Sequence, residues 1–235
     1  EINRIVTSVQ SVMSTVARNA KLTLSQKDNV STIFAQSMSR STSSRAKLDL
    51  SAFEGIISFD REARSVTVGG KTSFKALTEF LIPRGFMPCV VPELDTITVG
   101  GALSGVAIES SSFRYGFVHN SLLSFEILLG NGSVIRASED AYQDLFRGFA
   151  HSYGTLGYIL SATLAVVPAE TDVVVSVRRF RSLGDSIDSI REVIRNNVVY
   201  GTVETKGNEK GHDRVDFVEG VAFDVNDIVV LTARF

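Results

Sequence analysis

The stretch that decides the fold runs from Pro92 to Gly116 and reads PELDTITVGGALSGVAIESSSFRYG. Gly100 and Gly101 follow Thr98 at the junction between a loop and a predicted helix. Because glycine has no Cβ, a flat ring or a phosphate group can approach the backbone there. The first turn of a helix also carries N–H groups without intrahelical partners. With Gly105 allowing a second close approach one turn later, the stretch predicts a site for a planar or phosphate-bearing ligand.

The same glycines are compatible with a second interpretation, in which they serve only the packing of a tight turn. Taken alone, the adjacent pair favours packing. The stretch 92–116 contains neither the G-x-G-x-x-G spacing of a Rossmann dinucleotide site nor the Gly-Lys-Ser/Thr of a P-loop. The three hydroxyls of Ser110–Ser112 add hydrogen-bond donors and acceptors close to the glycines in sequence.

Composition excludes several classes of protein. The chain has 235 residues, 44% of them hydrophobic and 21% charged, as expected for one globular domain or for one domain with part of another. The net charge of −2 gives no general attraction to nucleic acid or to an anionic membrane. No run approaches the roughly 20 apolar residues of a membrane helix, so membrane association is expected only through segments absent from this sequence.

The cysteine and the histidines do not indicate a metal site. Cys89 is the single cysteine, so no intrachain disulfide forms, and it is expected to be a buried strand residue. His119, His151 and His212 lie far apart in sequence, and no Cys/His spacing is typical of zinc. For His119 a surface or core position is favoured over a position next to a ligand.

Hydrophobic periodicity and turn residues predict the elements. Helices are predicted over 1–18, from a cap at Thr72 or Ser73 to Pro83, from Val99 onward, over 142–149 and over 183–196. Strands are predicted over 56–59, 65–68, 87–91, 123–129, 134–136, 158–167, 173–180, 215–223 and 228–235. Asn131-Gly132 predicts a hairpin between two of them. A change of pattern at 168–172 divides the chain into residues 1–170 and 171–235, the second being the start of another α+β domain.

Eight short motifs resemble one family in their order and spacing. They are PELD (92–95), TVGG (98–101), IESSS (108–112), YG (115–116), NGS (131–133), DLF (144–146), GTLG (154–157) and FVEG (217–220). Together they are similar to the Δ24-sterol reductase family, also known as Diminuto or seladin. This family lies within the vanillyl-alcohol-oxidase class of PCMH-type flavoproteins. TVGG is shared by much of that class, whereas IESSS is narrower.

The resemblance implies an α+β fold: a PCMH-type FAD-binding domain of two α/β subdomains, followed by the start of an α+β cap domain. It implies noncovalent FAD, reduced by NADPH, which then reduces a side-chain double bond of a sterol-like substrate. It names no proton donor in this sequence. The residues that it places at the cofactor are Pro92, Thr98, Val99, Gly100, Gly101, Gly105, Ile108, Ser110, Ser111, Gly157, Tyr158 and Ile159.

The sequence departs from the family pattern in its first phosphate loop, expected at Ser37–Ser44, which contains no glycine. Hydroxyl groups and Arg40 are expected to replace backbone N–H groups there, the alternative being a linker. Ala107 stands where the sterol reductases tend to have glycine. Ile108 stands where many carbohydrate oxidases of the class have the histidine that tethers FAD, so the resemblance implies noncovalent binding.

Other functions stay open at this point. One is an FAD-dependent oxidase or dehydrogenase of a sugar or lactone, and another is a flavin-binding fragment without turnover. Glu109 is interpreted either as a base or as a partner of Arg114. Tyr153 and Tyr158 are expected to serve packing. An endoplasmic reticulum location is expected if a eukaryotic enzyme carries an anchor elsewhere, and a cytoplasmic one otherwise.

Overall fold

The fold was analysed in a computed structural model, which describes residues 22–24, 46–196 and 214–235. The predicted helix over 1–18, the Ser/Thr-rich loop 37–44 and the predicted polar loop 201–211 lie outside the described residues.

Eleven strands and five α-helices are described. The strands are β1 Leu22–Leu24, β2 Ala46–Leu48, β3 Ile56–Asp60, β4 Ser65–Gly69, β5 Phe86–Pro88, β6 Leu122–Leu128, β7 Val134–Ser138, β8 Tyr158–Pro168, β9 Val174–Phe180, β10 Phe217–Asp224 and β11 Asp227–Arg234. The helices are α1 Phe74–Leu81, α2 Val99–Gly105, α3 Ser112–Tyr115, α4 Gln143–Gly148 and α5 Leu183–Asn196. Two short 3₁₀ helices cover Ile82–Arg84 and Val118–Ser121.

Two antiparallel sheets account for most strands. The larger has the order β3-β4-β8-β6-β7, with β5 paired to the far end of β8. The smaller has the order β10-β11-β9, and α5 packs against it. β1 and β2 form a separate parallel pair. The predicted α+β class is confirmed. The connection between β8 and β9 contains the predicted domain boundary, which stays a prediction.

Helix α1 shows how local sequence sets an element. The Ser73 hydroxyl accepts a hydrogen bond from the Ala76 N–H at 3.1 Å, so Ser73 is the N-cap. Gly85, at φ 78°, ends the 3₁₀ turn that follows the helix. The inner face is fully buried and consists of Phe74, Leu77 and Leu81. Each such side chain contributes about 1.5–3 kcal/mol by leaving water.

The predicted hairpin at Asn131-Gly132 is confirmed. β6 and β7 pair antiparallel on either side of the turn, and Gly132 has φ 85°. The Asn131 side-chain oxygen accepts from the Ser133 N–H at 3.0 Å and the Ser133 hydroxyl at 2.7 Å. The Asn131 side chain therefore closes the turn, because its oxygen takes the place of a backbone carbonyl as hydrogen-bond acceptor.

Several predicted elements differ in extent from those observed, and two of these differences have a clear physical cause. The strand predicted over 87–91 is only Phe86–Pro88, because β5 pairs with β8 only at Val166–Pro168, and from Ala165 inward β8 pairs with β4 and β6. The helix predicted over 142–149 begins at Gln143, since Tyr142 adopts a left-handed backbone with φ 51°. A helix cannot include a residue in that conformation.

Four glycines lie where main chains pack directly on one another, and we call them the glycine seam: Gly69, Gly70, Gly100 and Gly157. A Cβ on Gly70 would lie 2.2 Å from the Ile159 carbonyl oxygen, and one on Gly100 would lie 2.8 Å from the Gly70 oxygen. The Gly70 N–H donates to Leu160 and the Gly100 N–H donates to Gly70, both at 2.8 Å. The seam thereby fixes the start of α2 against the sheet.

Replacing Gly70 with alanine is expected to destabilise the protein by about 2–3 kcal/mol, because the new methyl group meets a fixed carbonyl. Urea unfolding measures this change. Gly130→Ala is the matched control, because nothing lies within 4 Å of a Cβ built on Gly130. If Gly70→Ala lowers the free energy of unfolding by less than about 0.5 kcal/mol, as an ordinary surface substitution does, main chains do not pack as closely at the seam as described.

Candidate functional site

The seam borders a cavity of about 200 Å³, which we call the glycine cavity. It brings together six predicted site residues from two distant parts of the chain: Thr98, Gly100, Gly101, Gly157, Tyr158 and Ile159. It also contains residues that were not predicted, among them Gly70, Lys71, Ser104, Phe149 and Gly154. The start of α2 and the start of β8 thus meet at one concave surface.

The N–H groups at the start of α2 are not free. Val99 N–H donates to the Thr72 carbonyl at 2.9 Å. Gly100 N–H donates to Gly70 at 2.8 Å, and Gly101 N–H donates to the Thr98 hydroxyl at 3.2 Å. The expectation that these groups point at a ligand is therefore wrong for the first turn. Val99 itself is fully buried and serves the core.

The two adjacent glycines have different roles. Gly100 is held by backbone packing, as the packing interpretation proposed, because any side chain would collide with Gly70. Gly101 is exposed, and a Cβ there would meet only the Thr98 hydroxyl oxygen, at 3.1 Å. A side chain at Gly101 would occupy cavity space. The first glycine therefore builds the site and the second leaves it open.

Among the described residues that line the glycine cavity, Lys71 is the one with a charged side chain. It belongs to a Gly70-Lys71-Thr72 triplet, which is a sequence signal for phosphate binding that the predicted residues did not include. A full P-loop also needs glycine at position 65, which is Ser65 here. The Thr72 hydroxyl is engaged with the Gly55 N–H at 2.9 Å and the Gly55 carbonyl at 3.1 Å. The triplet therefore contributes a cation without forming a P-loop.

The loop before β8 carries unusual backbone at the cavity mouth. His151 and Tyr153 both adopt positive φ, at 65° and 49°, and their rings stack with centroids 6.2 Å apart. Such strain is concentrated at functional sites. Tyr153 is 69% exposed, so its predicted packing role is wrong. Tyr158 packs against the cluster that contains Leu50 and Leu160, as predicted.

The remaining predicted residues are absent from the lining of the glycine cavity: Pro92, Val99, Gly105, Ile108, Ser110 and Ser111. We call Ile108–Ser112 the serine segment. Its buried Ser111 hydroxyl donates to the Cys89 carbonyl at 2.8 Å, and its Glu109 carboxylate accepts from the Glu93 N–H at 3.0 Å. The segment therefore holds the loop after β5 in place.

Val106 links α2 to the serine segment with a strained backbone. It is β-branched yet has φ 61°, a conformation that such residues rarely adopt. The next residue, Ala107, accepts a hydrogen bond from Val118 N–H at 3.0 Å. The chain therefore leaves α2 through a strained backbone conformation at Val106. Strain of this kind is concentrated at functional sites, which points to a functional constraint on the path of the serine segment.

The predicted Glu109–Arg114 pair does not form. Arg114 instead pairs with Asp216, and Glu109 accepts backbone N–H groups. His119 lies beside a second cavity of about 280 Å³ with Glu139 and Arg147. Burial, and then the neighbouring charge of His151, lower the pKa of His119.

Cys89 is buried, as predicted, although it lies just beyond β5 and not within a strand. Burial raises the pKa of its thiol. Within the described ranges, no group of three His, Cys, Asp or Glu residues is arranged to hold a metal ion. Across the same residues, no helix combines the length and the apolar character that a bilayer span requires.

Comparison with known proteins connects this geometry to a family. The family described as "FAD binding domain" matches residues 7–138, which is more than half of the chain. The Δ24-sterol reductase of Pisum sativum is 29% identical over 80% of this chain, and that of Mus musculus is 31% identical over 75%. A probable mitochondrial D-lactate dehydrogenase of Danio rerio is 26% identical over 66%.

The chain spans about a third of the length of these relatives: 32%, 31% and 33% respectively. The motifs that resemble the Δ24-sterol reductases therefore lie in a sequence that is similar to those proteins over most of its own length. With the match to residues 7–138, the chain belongs to the FAD-binding domain family.

Proposed function

We propose that this chain binds FAD noncovalently and is the flavin-binding part of an oxidoreductase that uses NADPH to reduce a carbon–carbon double bond of a sterol-like substrate. The observation that carries the proposal is the glycine cavity, where glycines from two distant motifs meet and where Lys71 is the one cation among the described lining residues. The relatives named as Δ24-sterol reductases support the substrate class.

The lining of the cavity fits part of FAD. A diphosphate is an anion, and Lys71 offers a positive charge to it without a competing carboxylate among the lining residues. Gly101 and Gly154 leave room for close approach of a ligand to the backbone. At about 200 Å³ the cavity is smaller than the ~300–1,000 Å³ typical of whole-ligand pockets. We assign it to the diphosphate and adenosine portion.

The serine segment and Pro92 are assigned to the flavin end of the same cofactor. This placement comes from the family resemblance, with Gly105, Ile108, Ser110 and Ser111 along the path. Ile108 is 60% exposed and offers no nucleophile, which supports noncovalent attachment. The hydroxyl of Ser111 already donates to Cys89, so its role is to shape the loop.

When bound, FAD supplies hydride transfer between a nicotinamide donor and the alkene. The described residues position it: Lys71 offsets phosphate charge, and Gly157, Tyr158 and Ile159 form the wall at the adenine side. Residues 1–170 form the FAD-binding domain in this proposal, and 171–235 begin a cap domain over the substrate.

A second candidate follows from the D-lactate dehydrogenase relative. Anaerobic mixing of the FAD-loaded protein with NADPH or with D-lactate distinguishes the two. Bleaching of the visible flavin absorbance by NADPH alone is the expected result. Bleaching by D-lactate alone would contradict the reductase proposal. Bound FAD that neither donor bleaches would favour a flavin-binding module without turnover.

Gly101→Leu is expected to weaken FAD binding at least about tenfold, because the new side chain fills cavity space, a loss equivalent to about 1.4 kcal/mol. Any change in stability should be small, since leucine favours helix over glycine by nearly 1 kcal/mol, whereas its Cβ would lie only 3.1 Å from the Thr98 hydroxyl oxygen. Fluorescence titration with FAD and urea unfolding measure the two effects separately.

Gly184→Leu is the matched control, because Gly184 also lies in the first turn of a helix, α5, and is exposed. It should leave the FAD dissociation constant unchanged. Gly100→Ala should instead lower the free energy of unfolding, because its methyl group would collide with the Gly70 carbonyl. Unchanged FAD affinity in folded Gly101→Leu would remove the glycine cavity from the proposal.

Lys71→Met is expected to raise the FAD dissociation constant about tenfold, because a charge-assisted hydrogen bond contributes about 1.5–3 kcal/mol. The salt dependence of binding should also become weaker, since a phosphate contact is lost. Lys75→Met, at an exposed position in α1, is the control. Equal salt dependence in wild type and Lys71→Met would show that Lys71 does not meet the diphosphate.

A further inference from the structure

We infer that Asp216 is a positioning residue for the cofactor: through Arg114 it fastens the β9–β11 sheet to the serine segment and sets the shape of the flavin end of the site. The inference rests on the proposed function, because it assumes that the serine segment borders FAD. It concerns residues of the described chain that no sequence motif brought together, since 101 positions separate Arg114 from Val215.

The attachment is made first by the backbone. The Val218 N–H of β10 donates to the Ser110 carbonyl at 2.9 Å, across more than 100 residues of sequence. β10 is an edge strand of its sheet, so its outer N–H groups are available for such a bond. Both backbone groups of Ser110 are therefore engaged. Its N–H donates to the Glu109 carboxylate at 3.2 Å, and its carbonyl accepts from β10.

The second part of the attachment is an ion pair with little exposure. Arg114 and Asp216 pair directly, with side chains only 11% and 22% exposed. The other Asp216 oxygen accepts from the Phe235 N–H at 3.0 Å. Arg114 also donates to the Val215 carbonyl at 3.4 Å and lies over the Tyr115 ring. Because a buried charge needs its partner, this pair specifies one placement of α3 relative to Asp216, the residue that precedes β10.

A small apolar cluster completes the contact. Val193 and Val215 are buried, and Phe113 and Val218 pack against them. Phe113 lies between Ser112 and Arg114, so the cluster and the ion pair restrain the same short helix, α3. The serine segment ends where α3 begins. Movement of the small sheet is therefore transmitted to the backbone of Ser110 and Ser111.

Asp216→Asn tests this coupling, because it removes the charge while keeping the shape of the side chain. We expect the FAD dissociation constant to rise about tenfold, within the range of coupling between linked sites. The visible spectrum of bound flavin should also change, since its surroundings shift. Asp227→Asn is the control. It breaks another Arg–Asp pair, Arg179–Asp227, whose side chains are 73% and 29% exposed and which lies within the small sheet, away from the serine segment.

The control should keep wild-type affinity and spectrum even if its melting temperature falls. A purely structural role for Asp216 predicts that both variants lower the melting temperature and leave FAD affinity equal, and that result would overturn the inference. If Asp216→Asn does not fold, Arg114→Lys provides the test, because it keeps the positive charge but replaces the planar guanidinium, whose Nη1 contacts both Asp216 and the Val215 carbonyl, with a compact ammonium group. Wild-type affinity in folded Arg114→Lys would also overturn it. Failure of the wild-type chain to bind FAD would instead contradict the proposed function.

Discussion

The rest of the structure depends on one close approach of main chains, at Gly70. Its N–H donates to Leu160 on β8, and its carbonyl accepts from Gly100 at the start of α2, both at 2.8 Å. No side chain fits at either glycine, because a Cβ would meet a carbonyl oxygen. Two motifs that lie some sixty residues apart in sequence are thereby brought to one cavity, and Lys71 follows directly from the same turn.

The two ends of the site are held in different ways. At one end, the glycine seam fixes the cavity through backbone hydrogen bonds to the larger sheet. At the other end, the serine segment is held by Glu109, by Cys89 and by the small sheet through Ser110. Arg114 and Asp216 thereby connect the small sheet to the serine segment.

Local sequence was sufficient where neighbours determine the structure. Ser73, the apolar face of α1 and the Asn131-Gly132 turn are recognisable because their partners lie within a few residues. The occupied N–H groups of α2 could not be foreseen, since their acceptors on Gly70 and Thr72 come from another part of the chain. The family resemblance named Thr98, Gly100 and Gly101 together with Gly157–Ile159, which the structure brings to one cavity, although it gave no indication of Lys71 or Asp216.

Calorimetric titration of the purified chain with FAD tests the central claim most directly. The account predicts saturable binding of one FAD per chain, competition by ADP for the glycine cavity, and release of intact FAD when the protein is precipitated with acid. Folded protein that binds neither FAD nor ADP would contradict the account. Flavin that stays attached to the denatured chain would contradict its noncovalent form.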